Sequence, residues 1–140
     1  MSAITESVGC VSDRHGHSRC LICGNLNPRS LNLSFQVNEN GGVETKFSPF
    51  PELQGYRGFL HGGVIASLLD AAMTHCLFHH DINAVTGDLH VRYLHPIPCD
   101  ISIFIHAEII TTYPPLYCLE SEILSDQVVL ARAKAKFMRR

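Results

Sequence analysis

Gly58-Phe59-Leu60-His61-Gly62-Gly63-Val64-Ile65-Ala66-Ser67-Leu68-Leu69-Asp70 is the stretch on which the reading of this chain turns. A His-Gly-Gly triplet leads into an apolar, helix-forming run that holds a single carboxylate. Neither glycine puts a side chain over the first turn, so the first amide N–H groups of the helix are expected to be open to a ligand oxygen. Asp70 follows His61 by nine residues, which is about 13 Å along a helix axis. Amide donors and acid on one helix therefore cannot meet at one substrate atom. If both take part in chemistry, a second copy of the chain must complete the site.

Leu60 to about Phe78 is long enough for roughly five helical turns. At about 100° per residue, Val64, Ile65, Leu68, Leu69, Ala72, Met73 and Cys76 fill one broad half of the surface. Ser67, Asp70 and Thr74 fall together on the other side, flanked by Ala66 and Ala71. A helix that is apolar nearly all round, with one narrow polar seam, is normally wrapped by other structure. Asp is a poor mid-helix residue, and a buried carboxylate must be paired, hydrogen-bonded or neutralised. Asp70 reads either as a solvent-facing acid on that seam or as a desolvated base or nucleophile beside an electrophile. His61 reads either as a helix cap or as a catalytic group.

Sheet is expected on both sides of this helix. Leu31, Leu33, Phe35 and Val37 alternate with Asn32, Ser34 and Gln36, the pattern of a half-buried strand. Asn38-Glu39-Asn40-Gly41-Gly42 is hairpin-turn chemistry, and Val43 to Phe47 should return. Pro49 and Pro51 end the pairing, and a loop from Glu52 to Gly58 leads to the helix, with Gln54 its notable polar side chain and either an exposed amide or a site residue. After His79-His80-Asp81-Ile82-Asn83, alternation places Thr86, Asp88, His90 and Arg92 on one face of a strand and Val85, Leu89, Val91 and Tyr93 on the other. Ile101 to Ile109, Tyr117 to Leu124 and Val128 to Met138 read as further strands. In the last, Val129, Ala131, Ala133, Ala135 and Phe137 form a face small enough for a helix to approach closely, while Arg132, Lys134 and Lys136 point away. That basic stripe is either a solvated face or an anchor for a phosphorylated ligand. The sum is α+β: one long helix with an antiparallel sheet wrapped round it, five or six strands following the helix as a meander.

The bulk properties fit one such domain. The chain has 140 residues, 46% of them hydrophobic and 17% charged, and a formal net charge of -2. These values describe a folded chain with a real core and no global basic field for nucleic acid. The first residues lack a basic and an apolar signal region, and no apolar run is long enough to span a bilayer, so a cytoplasmic protein is expected. Six cysteines in that setting are expected to be thiols. Residues 1–18 show no hydrophobic period and are expected to be a flexible tail, with 19–140 the single domain.

His15-Gly16-His17-Ser18-Arg19-Cys20-Leu21-Ile22-Cys23-Gly24-Asn25-Leu26-Asn27-Pro28 has the donor types for tetrahedral zinc. A second Cys-x-x-Cys at zinc-ribbon spacing does not follow, and Gly24 with Asn27-Pro28 equally closes a tight turn. The turn is the expectation, with no metal and no cofactor assigned.

Gln54-Gly55-Tyr56-Arg57-Gly58-Phe59-Leu60-His61-Gly62-Gly63 followed by Asp70 resembles the hotdog-fold acyl-CoA thioesterases of the PaaI type. The likeness extends over most of 28–140, including Val85-Thr86-Gly87-Asp88-Leu89 and Arg92-Tyr93-Leu94-His95-Pro96-Ile97-Pro98, and Cys20-Leu21-Ile22-Cys23-Gly24 resembles a leader found in one branch. Ser30 stands where that leader usually has Gly, and His90 where a small amide is common. The resemblance implies a homodimer, often paired into a tetramer, with sites at the subunit interface and an acyl-CoA as substrate. It implies that the amide of Gly62 or Gly63, beside His61, polarises a thioester carbonyl, and that Asp70 of the partner chain activates water or attacks directly. Gln54 and Thr86 match positions near the thioester and the water; Ser67, Thr74, Arg57, His90 and Arg92 are the expected substrate-binding set. A hotdog domain that binds acyl-CoA without hydrolysing it is the alternative, and a hotdog dehydratase a weaker one. Neither nucleic acid nor membrane is an expected partner.

Overall fold

The protein is described by a computed structural model covering residues 15–140. The expected tail therefore lies outside the described residues except for 15–18. His15 is already packed, its ring stacked on Phe78 with centroids 4.2 Å apart.

The apolar run after the glycines forms one helix, α1, over Gly62–His79. Ile65, Leu68, Leu69, Ala72, Met73, Cys76 and Leu77 are all buried, as expected of a helix without a solvent stripe. Two short strands precede it, β1 (Gln36–Val37) and β2 (Val43–Phe47). Four follow: β3 (Ala84–Tyr93), β4 (Ile103–Tyr113), β5 (Leu116–Ser125) and β6 (Val128–Arg139). They make one antiparallel sheet in the order β1-β2-β4-β5-β6-β3. This is the expected α+β hotdog architecture, with the helix against the concave face.

Three expectations are corrected in detail. Four strands follow the helix rather than five or six, and only β4, β5 and β6 form a meander; β3 crosses to the far side of β6 and becomes an edge. Residues 31–35 alternate as predicted, with Leu33 and Phe35 buried. Their backbone bonds the leader rather than a sheet, through Leu31 N–H to the Leu21 carbonyl (3.0 Å) and Leu33 N–H to Ile22 (2.9 Å).

The third concerns β3. Thr86 pairs with Phe137 and Asp88 with Lys136, so Gly87 is an extra residue between them. A bulge of one residue reverses the side-chain alternation on one side of it. Thr86 therefore faces the helix with Leu89, Val91 and Tyr93, while Val85 joins Asp88, His90 and Arg92 on the outer face. Simple alternation had put Thr86 and Val85 the other way round.

Ala131, Ala133, Ala135 and Phe137 line the inner face of β6 and are buried. Ser121 of β5, also buried, donates from Oγ to the Leu69 carbonyl at 3.1 Å, tying sheet to helix. Ala135 sits between Leu89 and Leu119 on neighbouring strands. Replacing Ala135 by Leu would force extra methylenes under a close-packed helix, which typically costs about 1–3 kcal/mol. Urea unfolding of Ala135→Leu should show a lowered midpoint; an unchanged one would mean the helix stands off the sheet.

Candidate active site

The helix start is built by His61. Its Nδ1 accepts from the Gly63 N–H at 2.8 Å, making His61 the N-cap. The ring lies so close over Gly63 that a Cβ there would be 3.1 Å from Nδ1 and Cε1. This corrects the expectation of two open amides. Gly63 is occupied, whereas the Gly62 N–H has no hydrogen-bond partner among the described residues. Tyr93 of β3 donates from its hydroxyl to the Gly62 carbonyl at 3.0 Å, which fixes this turn to the sheet edge.

Gln54 lies in the preceding loop and accepts at Oε1 from the Gly58 N–H (2.9 Å), where φ is +82°. Its side chain thus closes the loop before the helix. Arg57, within that loop, is exposed.

Asp70 is half-buried on the polar seam. Its Oδ1 accepts from Thr86 Oγ1 at 2.7 Å, a contact that exists because the Gly87 bulge turned Thr86 inward. Burial pushes the Asp70 pKa up, while the Thr86 hydrogen bond and the proximity of His17 pull it back. The seam's other two hydroxyls are spent on the helix: Ser67 donates to the Gly63 carbonyl (2.8 Å) and Thr74 to that of Asp70 (2.9 Å). All three residues line a cavity of about 100 Å³ whose opposite wall is the leader, contributed by His17, Cys20, Ile22 and Cys23.

His75 lines the same cavity and was missed in the sequence. It is fully buried, and neither ring nitrogen has a hydrogen-bond partner among the described residues. Burial pushes its pKa down to about 3, so the imidazole is neutral. Its position one turn after Ala71 continues the seam, and that periodicity was the available signal. Tyr93 was missed as well, since its reach to the helix start depends on the curvature of β3.

His90 and Arg92 lie away from Asp70, on the outer face of the sheet. With Leu94, Ala133, Arg132 and Lys134 they line an open cleft of about 560 Å³. His90 pairs across the ladder with Lys134, and Arg92 with Arg132. Glu122 and Glu120 offer only loose partners, at 3.9 Å from Arg132 and Lys134 respectively. Cationic charge is thus concentrated in this cleft, where it suits an anion more than it suits stability.

The geometry separates two functions: a helix start and an acid seam on the inner side, and a cationic cleft on the outer side. Residues 57–114, which hold the helix start, the acid, β3 and all of β4, match the family model of the thioesterase superfamily. The fold is similar to that of a thioesterase superfamily protein (TM-score 0.81, 20% identity, 86% of this chain), although this chain spans only 63% of that protein's length. It is also similar to smu.793 from Streptococcus mutans bound to acetyl-CoA (TM-score 0.71, 19% identity, 76% of this chain and 86% of that one). The PaaI protein from the phenylacetic acid degradation operon of E. coli has a TM-score of 0.69 at 18% identity, over 77% of each chain. In fold this chain is similar to hotdog proteins that include PaaI, and over residues 57–114 its sequence matches the thioesterase superfamily.

Proposed function

We propose that the protein hydrolyses an acyl-CoA or aryl-CoA thioester, working as a homodimer in the cytoplasm, with dimers paired into tetramers. The observation that carries this reading is the half-buried Asp70 carboxylate held by Thr86 on a helix otherwise wrapped in apolar side chains. The thioester carbonyl oxygen sits at the free Gly62 amide of one chain, with His61 and the Gly63 it caps keeping that amide aimed outward. Helix-end amides stabilise the developing oxyanion without reorganising. Asp70 of the partner chain takes a proton from water, whose oxygen attacks the carbonyl carbon. The C–S bond then breaks, and the departing thiolate takes up the proton.

If the Gly62 amide and Asp70 act on one carbonyl they come from two chains, since along one helix they are separated by about 12 Å. The β3 edge is where that chain is expected. It is long, has no neighbour on one side among the described residues, and exposes Val85 and Tyr93, with Leu94 just beyond its end. The acetyl-CoA held by the S. mutans protein supports CoA as the carrier. His90 and Arg92, with Arg132 and Lys134, offer its phosphates a cationic cleft. Gln54 and Arg57 flank the approach to the helix start, and Ser67 and Thr74 shape the acid's surroundings.

Asp70→Asn keeps the size of the side chain and removes the base, so it should leave a folded dimer by light scattering and lower kcat at least about 100-fold. A panel of acyl- and aryl-CoA esters read by thiol release tests this. Full turnover in Asp70→Asn overturns the assignment, and tight binding with no thiol release from any ester favours the non-hydrolytic binder. Thr86→Val removes a hydrogen bond that favours the charged carboxylate. The Asp70 pKa should therefore rise, and the acid limb of kcat/KM should move to higher pH. An unmoved limb would assign that limb to another group. Arg92→Ala should raise KM for CoA esters several-fold while leaving hydrolysis of a short thioester without phosphates unchanged. Equal losses on both substrates would place Arg92's effect on the fold instead.

A further inference from the structure

The Cys-x-x-Cys leader was expected to be a structural turn. Its packing gives a different weight to the residues around it. Cys20 and Cys23 form a tight knuckle: the Gly24 N–H bonds the Cys20 carbonyl at 2.8 Å, and the Ile22 N–H donates to Cys20 Sγ at 3.3 Å. A side chain on Gly24 would collide with the backbone of Cys20 and Ser18, so the turn tolerates only glycine there. His17 brings Nδ1 to 3.5 Å from Cys23 Sγ. One donor atom from each of His17, Cys20 and Cys23 lies within 4.8 Å of the other two. Neither cysteine is in a disulfide.

A second observation points into the same space from the helix. His75 lines the cavity that these three residues face, is fully buried, and leaves both ring nitrogens without a partner among the described residues. Its ring centroid is 6.4 Å from that of His17, and the rings are nearly perpendicular. A buried polar atom with no partner requires an explanation, and a bound ion is one of the few available.

We propose that His17, Cys20, Cys23 and His75 bind one zinc ion, which fastens the leader to the central helix. Two sulfurs and two imidazole nitrogens are a common structural set for tetrahedral Zn²⁺. Binding releases two thiol protons, and two thiolates with two neutral imidazoles balance the 2+ charge, as a buried site needs. Asp70 lines the same cavity, but as the fourth ligand it would leave a net negative charge, and its Oδ1 is already held by Thr86. One orphaned nitrogen of His75 thereby gains a partner. The site is argued separately from the hydrolytic reading, although its donors share one cavity with Asp70.

The full-length protein, reconstituted with zinc alone and passed over a desalting column, should retain about one zinc per chain by elemental analysis. The cobalt-substituted protein should show thiolate-to-metal absorption and intense tetrahedral bands. Cys20→Ser and Cys23→Ser should each lose the metal, or the thiolate absorption, while circular dichroism reports whether the fold survives. X-ray absorption of the unaltered zinc protein should give two sulfur and two imidazole scatterers, a readout that needs no core variant to fold. Sub-stoichiometric zinc with no thiolate–cobalt absorption overturns the site. A shell containing a single imidazole overturns the role of His75.

Discussion

A carboxylate withdrawn from water is tolerable only where something compensates it, and here the Thr86 hydroxyl does so first, with His17 nearby. Thr86 reaches Asp70 at 2.7 Å from a strand that would point it away if its alternation were regular. The extra residue at Gly87 turns it inward. The cover over the acid comes from the leader, which packs on α1 through His15 and His17 against Phe78. The inward hydroxyl, the leader and the helix seam thus form one unit around a single charge.

The helix start depends on a different balance. A glycine pair at the head of a helix lowers its propensity, and His61 offsets part of that loss by capping Gly63. Its price is one amide of the two. The remaining donor, at Gly62, is left at a turn that Tyr93 anchors to the sheet edge. The same strand, β3, therefore supports both the helix start, through Tyr93, and the acid, through Thr86.

Much of this was legible in the sequence because period and size carry it. The helix and the alanine face of β6 follow from apolar spacing, β2 from the hairpin turn before it, and the polar seam of Ser67, Asp70 and Thr74 from the 100° rotation. What escaped is what spacing cannot hold. A bulge is invisible to alternation, so Thr86 is expected on the wrong face, while the resemblance implies only a place near the water for it. The occupied amide of Gly63 depends on a rotamer of His61. His75 lies within reach of that same helical spacing, but its polar surroundings exist only because the leader folds back onto the helix.

The bulge at Gly87 has a further consequence. A regularly alternating strand shows one set of side chains to each side and gives both sides the same phase along its length. By slipping the phase once, β3 serves two chemistries along a single backbone: a neutral hydroxyl turned toward the acid near its beginning, and cationic groups turned toward open water beyond it. The spacing between the inward hydroxyl and the outward cations is thus fixed by the backbone, not by the reach of any flexible side chain.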